Sequence, residues 1–285
     1  MGDKKQKKVV MHIRNARPED LKTILLVFPE DGIYKKEELI DLAESLGYIL
    51  IDKQHLDAFT TARDLRLIEI DKKDKKFKLT RKGQFLRKIL LYKPAIFVDV
   101  VHGLQILLWP ESKNNPKTAW SWAYKQLVDI LWEIGGSVKI SSKKELASHI
   151  ISLANETFGT FDVSFSPKSV LGGLKWLEQL NPPVINEDKF KRRTFCPPEL
   201  FILAVDYIYK SRGTEHGTKV MLTEKLKEEI CKICLLEPTS FEKVLEYAKL
   251  QFNKIFSSDI GGGWGQYLLL EREPTLIDLL GVYYE

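Results

Sequence analysis

A stretch that occurs twice limits the folds open to this chain. Residues 67–81 read LIEIDKKDKKFKLTR, and residues 180–194 read LNPPVINEDKFKRRT. Each opens on a leucine (Leu67, Leu180) and reaches a phenylalanine (Phe77, Phe190) after nine intervening residues. Phe-Lys starts the return limb in both, and acids and lysines fill the turn. Each copy follows a segment whose apolar residues have helical spacing. That is the sequence form of a β-hairpin placed directly after a helix, and its duplication predicts two modules.

Around the first copy, Pro18 stands at a helix start with Glu19 and Asp20 in the first turn, where acids suit the helix dipole. Leu21, Ile24, Leu25 and Phe28 follow at helical spacing, and Pro29 and Gly32 close the segment. Leu39, Leu42, Ala43 and Leu46 mark a second helix, over 35–46, with Gly47 as its C-cap. A third runs over about 53–65 with Leu56, Phe59, Ala62 and Leu65 inward. After the hairpin, Thr80 caps a helix beginning RKGQFLRKIL. Around the second copy, Trp122, Leu127, Ile130, Leu131 and Ile134 give one helix, and Ser141 or Ser142 caps the next. Ser166 and Pro167 open a third, with Val170, Leu171, Leu174 and Leu177 inward. The expected fold class is α+β, mainly helical. Its divisions are a basic tail (1–15), a first module (16–92), a connecting helix and linker (93–119), a second module (120–196) and a C-terminal helical region (197–285), in which GGGWGQYLLLERE reads as a turn into a strand and TLIDLLG as a final short helix.

Composition bounds the class further. Hydrophobic residues at 44% and charged residues at 29% fit a globular chain with a real core. The longest apolar stretches, such as 95–101 and 200–205, are too short to span a bilayer. The N-terminal lysines are not followed by an apolar signal core. Three cysteines make no disulfide framework, which points to a reducing cytoplasm. The net charge of +5 is uneven. Residues 1–100 carry 22 Lys+Arg against 16 Asp+Glu, and the remainder balances at −1. Between Lys72 and Lys88 there are nine basic residues and one acid. Such concentration on one element is the footprint of phosphate contact, against the bland alternative of a solvated lysine-rich hairpin.

Three helices, a hairpin and a following helix resemble the winged-helix superfamily, here in tandem over about 16–92 and 120–196. The Leu-Thr-Arg-Lys-Gly segment at 79–83 is similar to the common exit from the wing. The resemblance implies a non-enzymatic double-stranded-DNA-binding protein: a regulator, an initiator or the DNA-reading subunit of a larger prokaryotic machine. In such folds the third helix enters the major groove and the wing touches the flanking backbone. In the first module this places Lys53, Gln54, Thr60, Thr61, Arg63 and Arg66 on or beside the third helix. Lys72, Lys73, Lys75, Lys76, Lys78, Arg81 and Lys82 fall on the wing and its exit. Asp57 and Asp64 share the outward face of that helix and oppose phosphate, so this module supplies mainly wing charge. In the second module the assignment is Lys168, Ser169, Lys175 and Gln179 on the third helix, and Lys189, Lys191, Arg192 and Arg193 on the wing. Gly172 on the same helix face costs about 1 kcal/mol, a cost offset where another backbone must approach closely. The alternative is an assembly protein whose second module presents an interface centred on Trp176.

Catalytic constellations are thin. Cys196, His216, Cys231 and Cys234 offer a zinc-type donor set, but Cys231 and Cys234 lie in a helix-patterned run where both thiols share an inward face. No cofactor is expected. Glu69, Asp71 and Lys72, like Glu187, Asp188 and Lys189, resemble part of a nuclease acid-x-Lys set. Both triplets fall in wing turns, where exposed acids and lysines need no catalytic reason. A metal-dependent enzyme or nuclease subunit is therefore the third reading.

Overall fold

One plan is laid out three times along this mainly helical α+β chain: helix, extended segment, helix, helix, then a hairpin whose second strand pairs in the middle. The computed structural model describes residues 8–29, 32–48, 52–71, 73–135, 137–140, 142–160, 162–261 and 265–281, with the backbone alone at 52–56 and 137–138. A short strand, β1 (Val9–Val10), precedes the first unit. That unit comprises α1 (Pro18–Val27), α2 (Lys36–Ser45), α3 (Asp52–Asp64), β2 (Ile68–Ile70) and β3 (Phe77–Leu79), and α4 (Arg81–Tyr92) leads out of it. β2 pairs antiparallel with β3, and Tyr34, between α1 and α2, forms a bridge to Phe77. α5 (Phe97–Glu111) follows, buried at every position from Phe97 to Leu108.

The second unit is α6 (Ala119–Ile134), β4 (Ser137–Lys139), α7 (Lys143–Phe158), β5 (Val163–Ser164), α8 (Pro167–Leu177), β6 (Ile185–Asn186) and β7 (Lys189–Lys191). β7 lies between β4 and β6, antiparallel to both. The last unit is α9 (Pro198–Arg212), β8 (Val220–Met221), α10 (Glu224–Cys234), α11 (Phe241–Gln251), β9 (Phe256–Gly261) and β10 (Gly265–Leu270), closed by α12 (Leu276–Leu280). Here β10 lies between β8 and β9. The region expected to be mostly helical, with one strand after the glycine run, thus carries a three-stranded sheet with the strand order of the second unit. Its hairpin reads FSSDIG and GQYLLL, without the Phe-Lys return or the basic turn that marks the other two.

Local chemistry sets several helix ends. Thr80 Oγ1 accepts from Gly83 N–H, Ser142 closes a capping box with Glu145, and Thr223 Oγ1 accepts from Leu226 N–H. Ser166 occupies the N-cap of α8 without a side-chain cap bond, and Pro167 at the first helical position pre-sets the turn.

Residues 8–15 are not a free tail. β1 pairs in parallel with β5, and Val9, Met11 and Ile13 are all buried. Three apolar side chains at alternate positions anchor an extended segment, which corrects the reading of 1–15 as a basic tail for the residues described. The connecting helix likewise acts as a centrepiece. α5 packs against α4, α6, α8 and α9, so elements of all three units meet on it. No single helix among the described residues is long and apolar enough to cross a membrane.

Candidate nucleic-acid interface

The first hairpin displays its lysines on a tight turn. The Asp71 carboxylate accepts from Lys73 N–H at 2.7 Å and Asp74 N–H at 3.2 Å, and these two bonds lower its pKa. Lys75 takes a positive φ of 53°. Lys73 and Lys75 are exposed, Lys76 is partly so, and none has a carboxylate within ion-pair distance among the described residues. Lys78 is bound to Glu69 at 2.8 Å across the hairpin. Lys72 lies outside the described residues. On α4, Arg81 and Lys88 each lie 5.7 Å from the ring centroid of Phe85, which makes an exposed basic strip beside the hairpin. Lys82 and Arg66, assigned to the same surface, instead line a cleft with α5 and α9.

The second hairpin divides its cations. Phe190 is fully buried, so its neighbours Lys189 and Lys191 face solvent. Lys139 stands directly opposite Lys189 across the β4–β7 ladder, and it too is exposed. Like charges in that position are destabilising, and no carboxylate lies within ion-pair distance of Lys139, Lys189 or Lys191 among the described residues. Neither Lys139 nor Lys88 is among the contacts that the resemblance assigns. Lys139 is visible only once the register is known.

Arg192 and Arg193 do not belong to this surface. The Arg192 guanidinium lies 3.8 Å over the Trp132 ring and donates to the Trp132 carbonyl through Nε (2.9 Å) and Nη2 (2.7 Å). Arg193 is buried. Its Nη1 pairs with Asp99 Oδ1 of α5 at 2.7 Å, and its Nε donates to the Cys234 carbonyl at 2.8 Å. Burial raises the pKa of Asp99, and the adjacent guanidinium opposes that rise. The second hairpin runs directly into contact with the C-terminal end of α10, which turns these arginines inward.

The third helices are covered rather than presented. Residues 11–15 pass between α3 and α8. A Cβ built on Gly172 would lie 2.5 Å from the Arg14 carbonyl oxygen and 3.1 Å from that of Ile13. Arg14 reaches Asp64 at 3.6 Å. Ile13, Arg14, Thr61, Asp64 and Trp176 line one small cavity, and Arg14, Asn15, Asp57, Lys168 and Ser169 border a second. Trp176 is 1% exposed, Ser169 3% and Thr61 6%, which corrects the assignment of all three to an open surface. Thr61 Oγ1 is spent on the Asp57 carbonyl at 2.8 Å. The backbone that Gly172 admits is the chain's own. Of the remaining assigned residues, Lys168 is exposed, Lys175 and Thr60 are partly buried, and Gln179 donates to Glu19 at 2.7 Å. Arg63 is exposed beside Asp64 at 3.3 Å. The side chains of Lys53 and Gln54 lie outside the described residues.

The cysteine set is not brought together with its histidine. His216 Nε2 is bonded to Asp206 at 2.8 Å, and its ring stacks on Tyr209. The three cysteines are buried elsewhere, and burial pushes the Cys231 thiol up to about 12. In the first acid-x-Lys triplet Glu69 is held by Lys78 and Asp71 by its own turn, and Lys72 lies outside the described residues. A different acidic cluster forms from distant residues: Glu111, Asp206 and Glu273, with oxygens within 4.8 Å of one another. Lys210 Nζ occupies its centre at 3.0, 2.8 and 2.6 Å from the three. Burial works against the charged lysine, but the carboxylates outweigh it and raise its pKa. The place of a cation is taken by this ammonium. No family model, curated protein or solved structure matches the chain.

Proposed function

We propose that the chain is a double-stranded-DNA-binding protein made of three winged-helix units, holding the phosphate backbone through its first two wings without groove reading by α8. Its element order, with the last strand central in each sheet, supports the fold reading. The functional reading rests on one observation: lysines without counter-ions on the exposed faces of the first two hairpins, including the opposed pair Lys139 and Lys189. An anion laid across such a pair relieves its repulsion. The covered α8 face moves the expectation from base readout to backbone contact, which positions without specifying.

The test is fluorescence anisotropy on random-sequence duplex at several salt concentrations. Combined Lys139→Ala, Lys189→Ala and Lys191→Ala changes should weaken binding equally on all sequences. They should also flatten the salt slope by up to about 0.9 for each lysine removed. An unchanged slope in this variant and in its counterpart at Lys73, Lys75 and Lys76 would refute the reading.

The assembly reading keeps a footing on a different surface from the one first expected. The third hairpin, Phe256–Leu270, contains no lysine or arginine. On α11, Tyr247 and Leu250 are exposed, and with Phe195 and Pro198 they border an apolar groove of about 680 Å3. Leu250→Asp should leave duplex binding intact and abolish any oligomer or captured partner that depends on this face, as read by light scattering and pull-down.

A further inference from the structure

A cleft of about 280 Å3 lies between the first unit, α5 and the last unit, and its charges are unequally satisfied. Lys210 is held by three carboxylates on one side. Arg66 and Lys82 line the other side, and neither side chain has a hydrogen bond or ion pair among the described residues. Lys82 is partly buried; loss of solvent lowers its pKa and the neighbouring Lys210 and Arg66 lower it further, while Glu111 and Glu273 pull the other way through space without bonding to it. An ammonium in that condition is costly unless something anionic meets it.

The backbone fixes these two cations beside each other. Thr80 Oγ1 donates to the Arg66 carbonyl at 2.7 Å, and Thr80 N–H donates to the Leu67 carbonyl at 2.9 Å. Gly83 lets α4 press on that second carbonyl, because a Cβ there would collide with the Leu67 oxygen. Lys82 therefore stands in the first turn of α4, where helix N–H groups lack intrahelical acceptors and the dipole is positive. That turn carries two cations and no acid. Two cations converge on the cleft, and neither is bonded to a carboxylate among the described residues.

The opposite wall suits a different part of a ligand. Glu111 and Glu273 retain oxygen lone pairs that can accept from hydroxyl groups. Leu104, Leu107, Leu203 and Leu279 give an apolar lining. The volume is at the small end for an organic ligand. We propose that this cleft binds a nucleoside monophosphate, with Arg66 and Lys82 holding the phosphoryl oxygens, the carboxylates accepting from sugar hydroxyls and the leucines contacting the base. This does not rest on the duplex-binding reading.

Isothermal titration of the full chain with adenosine monophosphate, adenosine and random duplex DNA tests it. The monophosphate should bind saturably, adenosine should bind about tenfold more weakly or worse, and Lys82→Met should cost about ten- to a hundredfold. Lys82→Arg should keep most of the affinity, and the Lys73, Lys75 and Lys76 alanine variant should bind the monophosphate as the parent does. Lys82→Met removes an unpaired ammonium, so its melting temperature should hold; if it drops, Arg66→Gln at an exposed position gives the same reading. Equal affinity for monophosphate and adenosine, or an undiminished affinity in both cation variants, overturns the proposal. So does a cleft that takes only duplex, shown by Lys82→Met weakening duplex binding while no monophosphate binds. Failure of duplex binding with intact monophosphate binding removes the other reading and leaves this one.

Discussion

Gly172→Ala tests the covered face of α8 directly. An added Cβ would stand 2.5 Å from the Arg14 carbonyl oxygen, 3.0 Å from its carbon and 3.1 Å from the Ile13 carbonyl oxygen. All three are backbone atoms, so a rotamer change cannot relieve the contact, and the strand must move by roughly 1 Å. Strain of this kind costs about 1–3 kcal/mol. Alanine in a helix interior returns about 1 kcal/mol relative to glycine. Complete release of the strand would expose Met11 and Ile13 at about 1.5–3 kcal/mol each, more than the strain itself. The expected outcome is therefore a strained but attached strand and a net loss of about 0–2 kcal/mol. Amide exchange locates the effect. Val9 N–H donates to the Asp162 carbonyl and Met11 N–H to that of Ser164, and both should exchange faster in the variant while amides in α11 do not change. A Gly172→Ala protein that gains about 1 kcal/mol in denaturant midpoint, with unchanged exchange at Val9 and Met11, would show that no backbone lies on this face.

Three further outcomes follow from the buried groups. Arg193→Ala should cost about 3–5 kcal/mol in urea unfolding, because it leaves Asp99 buried without its partner; a loss under about 1 kcal/mol would place Arg193 on the surface after all. Trp176→Ala should cost about 3–5 kcal/mol, as for a core aromatic, and light scattering should show an unchanged oligomeric state; partner loss without destabilisation would restore the interface reading. His102 is buried, its Nδ1 accepting from the Tyr124 hydroxyl and its Nε2 donating to the Ile233 carbonyl, and burial lowers its pKa to about 3. The unfolded chain takes up this proton below about 6.5, so the contribution is whole above that pH and falls by up to about 1.4 kcal/mol per unit as pH drops toward 3. Urea midpoints at pH 7 and 4.5 for the parent and His102→Gln should show a shallower loss in the variant, and parallel losses would refute it.

Much of the local structure was legible in order. Apolar spacing and the Thr80 and Ser142 caps placed the helices of the first two units to within a few residues, because these signals act over one or two turns. The Phe-Lys return located both hairpins, and Gly172 announced a close approach because only glycine tolerates one. In the last unit the glycine run and Tyr-Leu-Leu-Leu gave away a turn into a strand, but its two partner strands left no mark, because the hairpin lacks the basic turn and the Phe-Lys return. Val9, Met11 and Ile13 do alternate, but a run that short beside four lysines reads as a tail until a partner strand is found. What occupies the face of α8, where Arg193 points, and that Lys139 opposes Lys189 were matters for the tertiary structure. Each depends on which distant backbone lies alongside, and a side chain's charge specifies neither its partner nor its exposure. The cleft is the sharpest case. Arg66, Lys82, Glu111, Asp206, Lys210 and Glu273 come from separate stretches, and only the packing of the first unit, α5 and the last unit brings their charges within reach of one another.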